Sequence, residues 1–337
     1  MRFGLSLPMQ HPMGEPMAQR FAELLEVVRL ARQAGFHHLS ASQHYLAAPF
    51  QYLQPLPVLA RVAAEAEGMT LGTGILLLAL QHPVHVAESL ATLDVICGGR
   101  LVCGVGLGYR EVEFEAFGVP RGQRLSRFLE ALEVLKRLWT EEAVTFEGRH
   151  FRLREVSLSM RPLQRPRPPI VVAASNDRMV QRVARLGDAW TIAGHATFAT
   201  LERQVALYRE ALAAAGKPFP PPYFSLSKEL FIARDMETAR RQAWPYLAAK
   251  YQAYAQWGQD TVLPAGESFR QPIEQLQEDR FIVGDAAYCR EQIARHRERL
   301  GIQQLNLRLH WPGLPHRQVL EAIALLGEQV LPYFAQD

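Results

Sequence analysis

Hydrophobic positions along this chain alternate between two spacings. Short runs at residues 3–7, 38–41, 69–78, 101–105, 170–174, 189–192, 224–233 and 304–309 read as strands, several of them apolar on both faces, as in a parallel sheet covered on both sides. Between them the apolar positions recur at helical spacing. Phe21, Leu24, Leu25 and Val28 form one such stripe, stopped by Gly35, and Leu125, Phe128, Leu129, Leu132 and Leu135 form another. Further helices are predicted over 57–66, 84–96 (with Pro83 just ahead), 177–186, 201–215, 235–254, 286–300 and 318–330.

Two stretches leave this alternation. Residues 144–158 read as a hairpin turning at Glu147-Gly148-Arg149, followed by a proline-rich connector over 162–169. Residues 257–279 form a polar, glycine-containing excursion. Eight strands, each followed by a helix, predict one (β/α)₈ barrel over residues 1–337, with insertions at about 140–169 and 255–283, after strands four and seven. Both insertions are expected on the carboxyl face, over the active site. A doubly wound sheet, which needs fewer strands, is the competing architecture.

Composition narrows the function. With 48% hydrophobic and 21% charged residues the chain buries a sizeable core. A net charge of +3, with arginines spread along helices, gives no reason to expect nucleic acid or a membrane surface as partner. Cys97, Cys103 and Cys289 have no metal-like spacing and fit a reducing, cytoplasmic setting. Met1 leads directly into a strand, so no signal peptide is expected, and no apolar run reaches membrane-spanning length.

A barrel directs attention to the residues just beyond each strand. These are Ser6 with Gln10 and His11, Ser42-Gln43-His44-Tyr45, Gly74 to His82, Gly106 to Arg110, Ala174-Ser175-Asn176, Gly194-His195, and His310-Trp311, with Lys228 and Glu229 on the seventh strand. His44 is the candidate for proton transfer, because imidazole titrates near neutral pH. The glycines of Gly104-Val105-Gly106-Leu107-Gly108 let a flat ligand approach the backbone, but the dinucleotide spacing is absent. Gly72 and Gly74 predict a bulge, a backbone laid close against a flat ring, or plain barrel packing. Ala174-Ser175-Asn176 opens a helix whose free N–H groups, with the Ser175 hydroxyl and Arg178 one turn in, form a candidate phosphate seat, and Ser and Asn are equally good helix caps. No acidic residue accompanies His82 and His85, or His37 and His38, at ligand spacing, so no metal is expected.

Several of these residues together resemble the bacterial luciferase-like flavin oxidoreductase family. The resemblance rests on Phe3-Gly4-Leu5-Ser6-Leu7, on Thr92-Leu93-Asp94 with Gly98-Gly99-Arg100-Leu101, and on Gly104-Val105-Gly106 with Glu113-Phe114-Glu115-Ala116-Phe117-Gly118. Glu147-Gly148-Arg149 and Leu305-Asn306-Leu307-Arg308 support it. It implies a (β/α)₈ barrel binding FMN or, alternatively, a deazaflavin coenzyme, and either monooxygenation, with reduced FMN from a separate flavin reductase, or hydride transfer. A small-molecule substrate and a homodimer are expected with it. By motif, His44 lies beside the reactive ring edge, and Thr73-Gly74-Ile75 lies under the ring, where a non-proline cis peptide often occurs. Gly106, Leu107, Gly108 and Tyr109 run along the cofactor, Ser6 joins the cofactor site, and Ala174, Ser175 and Arg178 hold the phosphate.

One departure stands out. The family often carries Glu-His-His or Asp-His after the second strand, whereas Gln43 and Tyr45 flank His44 here, so the histidine has no adjacent carboxylate. The leading expectation is an FMN-dependent monooxygenase. Clustered cations at Arg110, Arg121 and Arg124 would instead favour a deazaflavin with an anionic tail. A flavin-binding protein without catalysis, and an aldolase-type barrel using Lys228, are the other readings. Phe50, Tyr52 and Trp311 are expected to line a pocket for an aliphatic or aromatic substrate.

Overall fold

The computed structural model describes residues 1–259, 263 and 267–335. The excursion over 257–279 therefore falls partly outside the described residues. The strands are β1 (Arg2–Ser6), β2 (Gln10–Pro12), β3 (His38–Ala41), β4 (Phe50–Tyr52), β5 (Thr70–Thr73), β6 (Leu76–Leu77), β7 (Leu101–Gly106), β8 (Val144–Glu147), β9 (Arg152–Val156), β10 (Ile170–Ala174), β11 (Ala189–Ala193), β12 (Ser225–Ile232), β13 (Phe281–Gly284) and β14 (Gln304–Arg308). The helices are α1 (Met17–Gln33), α2 (Pro55–Val62), α3 (Pro83–Ile96), α4 (Glu111–Ala116), α5 (Arg124–Thr140), α6 (Asp177–Leu186), α7 (Phe198–Ala214), α8 (Met236–Gln256), α9 (Ile273–Arg280), α10 (Ala286–Leu300) and α11 (His316–Gln329).

Eight strands close a parallel barrel in the order β1, β3, β5, β7, β10, β11, β12, β14 and back to β1. The two faces of the barrel strands carry different residues. Leu39, Val172, Trp190, Ile192, Leu226, Leu305 and Leu307 join the core beneath the helices, while Ser40, His38, Thr191, Ser225, Gln304 and Asn306 line the interior. The interior combines these polar side chains with an apolar cluster of Val102, Val171 and Ala189 and leaves an open cavity instead of being packed throughout. Caps sharpen the strand-to-helix turns. Asn176, Thr197, Asp235 and Asp285 each accept a hydrogen bond from a first-turn N–H, on α6, α7, α8 and α10. Among the described residues no helix is long and apolar enough to cross a membrane.

The structure departs from the sequence reading in three places. The single strand over 69–78 is two, β5 and β6, separated by a cis Gly74-Ile75 peptide. Residues 144–169 follow α5, not β7, so they return the chain to the start of a strand. Gln164 binds Asp94 and the Leu101 carbonyl at the amino end of β7, and none of these residues lines the carboxyl-end cavity. Last, α8 is not a member of the helical ring. That place belongs to α10, which packs between α7 and α11, whereas α8 packs on β12, β13 and α9. β12 runs past its barrel neighbours and pairs with β13, an additional parallel strand. The insertion from α8 to β13 brings Tyr254, Gln259 and Leu263 to the barrel mouth.

Candidate active site

A cavity of about 270 Å³ occupies the barrel's interior and carboxyl mouth, and all eight barrel strands contribute to it. Of the residues expected from the sequence, Ser6, His44, Thr73, Gly74, Ile75, Gly106, Leu107, Gly108, Tyr109, Ala174 and Ser175 line it together. Arg178 does not. It is exposed on α6, outside the cavity.

The wall from β3 to β7 is built from backbone. The Thr73 hydroxyl donates to the Gly104 carbonyl at 2.7 Å and accepts from the Gly104 N–H at 2.9 Å, which ties β5 to β7 just before the bulge. A side chain at Gly104 would sit 1.9 Å from the Thr73 carbonyl, and one at Gly106 would sit 2.7 Å from Ile75. These glycines are thus required first by the neighbouring strand, and they press Ile75 into the cavity wall. Gln43 secures the far side of the bulge. Its Oε1 accepts from the Leu77 N–H at 2.9 Å and from Gln81 at 3.0 Å, and its amide donates to the Tyr45 hydroxyl and to Gln54.

The carboxylate missing beside His44 in sequence comes from α4. Glu113, fully buried, accepts from His44 Nδ1 at 3.0 Å and from the Tyr45 N–H at 2.9 Å. A carboxylate partner keeps the proton on Nδ1, so Nε2 is the basic nitrogen of the neutral ring. Gln54 holds the His44 carbonyl at 2.9 Å, and Tyr52, Tyr109 and Trp257 surround the ring with centroids 5.4 to 5.9 Å away. Arg110 completes the arrangement from behind. It donates to the Tyr45 and Leu46 carbonyls and to Glu113, and its guanidinium lies 4.0 Å from the Trp257 ring centroid. The signal for Glu113 was already present in the Glu-Phe-Glu-Ala-Phe-Gly block. What the sequence could not convey is that this block returns 69 residues later to the second strand's loop.

At the β10–α6 junction, Ala174, Ser175 and Asn176 line the cavity, with the Ser175 carbonyl held by Gln204 at 2.9 Å. Arg124, at the start of α5, also lines the cavity, and among the described residues no carboxylate lies within ion-pair distance of it. Arg121 is paired with Glu111 at 3.1 Å, and Arg110 is committed as above. The three arginines therefore do not form a cluster facing the cavity. The N–H groups opening α6, with Ser175, suit a phosphate, and the Gly74-Ile75 bulge suits a flat ring, so the residues present fit a phosphate-bearing flavin or deazaflavin.

On the opposite wall, from β11 to β14, the sequence pointed to His195, Lys228 and Glu229 but not to the ion cluster around Glu229. Glu229 Oε1 contacts Lys250 of α8 and, at 3.4 Å, Arg308 Nη1, while Oε2 accepts from Trp311 Nε1 at 2.6 Å. Burial alone would raise the Glu229 carboxyl, but Lys250 and Arg308 hold it well below the ordinary range. Burial and the nearby Arg308 push Lys250 down, against the pull of Glu229. His195, hydrogen-bonded through Nδ1 to the Tyr251 hydroxyl at 3.0 Å, is pushed down to about 3 by burial and stays neutral. Trp311 lies behind the wall, not on it, and Phe50 packs against Trp257, so of the three expected pocket aromatics only Tyr52 faces the cavity. His11 and His310 are buried against each other, outside the cavity, and the Lys228 amine donates to the Arg280 carbonyl at 3.2 Å.

The family model described as luciferase-like monooxygenase matches residues 1–304. Among solved structures, the monooxygenase RslO1 from Streptomyces bottropensis superimposes with a TM-score of 0.90 at 28% identity, covering 99% of this chain and 100% of that one. An F420-dependent glucose-6-phosphate dehydrogenase of Nakamurella multipartita is 28% identical over 328 residues, 92% of each chain. The uncharacterized protein y4wF of Sinorhizobium fredii is 30% identical over 174 residues, so that the match spans about half of either chain (52% and 51%).

Proposed function

Because the chain belongs to the luciferase-like monooxygenase family, we propose that it is an FMN-dependent monooxygenase acting on a small organic substrate, with reduced flavin delivered by a separate reductase. The observation that carries this reading is the single-phosphate seat: Ser175, the N–H groups opening α6, and Arg124 as the one of the three mouth arginines that faces the cavity. Reduced FMN held here would supply the two electrons that, with two protons, let one oxygen atom of O₂ enter the substrate while the other leaves as water. The chain's own part is positional. The Gly74-Ile75 bulge supports the ring, Trp257, Tyr109 and Tyr254 keep water from the His44 side, and His44, oriented by Glu113, holds or moves a proton at Nε2. The aldolase-type reading loses its support, since Lys228 is tied to a backbone carbonyl.

A second reading, hydride transfer with a deazaflavin, is favoured by the same His44–Glu113 pair, which is equipped to take a hydroxyl proton, and by the F420-dependent relative. Absorbance titration of the purified chain with FMN and with F420 separates the two. Saturable binding of FMN, weakened about tenfold more than riboflavin by Arg124→Glu and little changed by Arg178→Glu, supports the first reading, and binding of F420 alone defeats it. Rapid oxidation of NADH or NADPH by the isolated flavin-loaded chain would remove the separate reductase.

A further inference from the structure

A second arginine, Arg308 of β14, lines the cavity away from the β10–α6 junction. Glu229 carries one negative charge and contacts two cations, Lys250 and Arg308. Lys250 is buried behind the wall and holds the closer contact, while Arg308 reaches Glu229 through Nη1 alone, at 3.4 Å. Glu229 is engaged at both oxygens. Oε1 serves both cations, and Oε2 is taken by Trp311. Arg308 lines the cavity, with a quarter of its side chain open to it. Among the described residues its one hydrogen bond runs from Nη1 to Glu229, which leaves the Nε–Nη2 edge without a protein acceptor. That edge is the fork that meets a carboxylate with two parallel hydrogen bonds. Tyr52 and Tyr254 line the cavity with it, adding aromatic faces and hydroxyl groups. A guanidinium edge shielded from bulk water without an acceptor carries a desolvation cost, and an incoming anion would offset that cost.

We infer that the substrate carries a carboxylate, received by the free edge of Arg308 while Glu229 fixes the guanidinium from the other side. The inference rests on the proposed reading only in assigning the remaining part of the cavity to the cofactor. It makes Arg308 a specificity residue, and it places the group to be oxidised between the carboxylate end and His44.

The test compares benzoate, phenyl phosphate and the neutral isostere benzamide, following flavin absorbance changes in FMN-loaded protein and tryptophan fluorescence in cofactor-free protein. Benzoate is expected to bind about tenfold or more tightly than benzamide. Arg308→Lys, which keeps the charge and loses the fork, should cut the preference several-fold, and Arg308→Met should abolish it. Equal binding of benzoate and benzamide, no binding of either, or an undiminished preference in Arg308→Met overturns the inference, and tighter binding of phenyl phosphate than of benzoate overturns the carboxylate assignment. The wild-type comparison stands even if a variant fails to fold. Loss of FMN binding with benzoate preference retained would count against the proposed cofactor and leave the substrate inference intact.

Discussion

The two walls of the cavity are made by different physics. The wall from β3 to β7 consists of backbone, glycine and short hydrogen bonds. Thr73 ties two strands together, Gln43 clamps the bulge, and one carboxylate, Glu113, orients one histidine. The wall from β11 to β14 is a buried charge cluster assembled across β12, α8, β14 and Trp311. A backbone wall fixes shape, which suits a cofactor common to a family. A side-chain charge wall fixes complementarity, which a few substitutions can redirect. The lid insertion joins the two: Trp257 packs on His44 and Arg110, while Lys250, seven residues earlier on α8, contacts Glu229.

The sharpest way to break this contrast is to remove the charge at the centre of the second wall. Glu229→Leu leaves Lys250 and Arg308 without a counter-ion and should destabilise the fold by ~3–5 kcal/mol, measured by denaturant unfolding. A variant as stable as wild type would show the cluster to be dispensable. On the first wall the same kind of deletion should spare stability and strike rate. His44→Ala is expected to lower turnover by about two orders of magnitude with little change in flavin affinity. Glu113→Gln should act in the same direction more weakly and displace the pH–rate profile, because it alters the partner of Nδ1. Normal turnover in His44→Ala would reduce that residue to pocket lining.

A smaller effect distinguishes the histidines of the two walls by acid titration. Burial pushes His195 down to about 3 in the fold, against about 6.5 when unfolded. As pH falls below 6.5 the unfolded chain binds the proton first, so stability that is complete above 6.5 is lost progressively toward 3, by up to about 1.4 kcal/mol per pH unit for this one group. His195→Gln should flatten the acid limb of the stability curve between pH 6 and 4 relative to wild type. An unchanged slope would place the acid sensitivity elsewhere, with the buried His38, held at about 4 by burial, as the next group to substitute.

Much of the first wall was legible because it is local. The run Ser42-Gln43-His44-Tyr45, the glycines of β7 and the Ala174-Ser175-Asn176 junction each occupy a few consecutive residues, and barrel geometry alone directs strand ends to one face. Arg178 was misplaced for a local reason. Its position one turn into α6 suited the junction, yet the helix turns it to solvent, while Arg124 lines the cavity from a helix that begins 53 residues earlier. The parity of β12 and β14, polar at Ser225, Ser227, Glu229, Gln304, Asn306 and Arg308, was the available hint of the second wall. Alternation alone does not say whether such a face looks into a barrel or into water.

The chain by itself determined the barrel, since eight strands and their helices follow from hydrophobic spacing and from caps acting over a few residues. It also determined the backbone half of the site, where glycine is the residue that fits between neighbouring strands. Only the tertiary structure decided that α8 leaves the helical ring to cover the mouth, that Glu113 supplies the carboxylate absent beside His44, and that Glu229 balances two cations 21 and 79 residues away. Those outcomes depend on contacts between side chains distant in sequence, whose strength comes from shared burial, and no spacing rule along the chain encodes which of them meet.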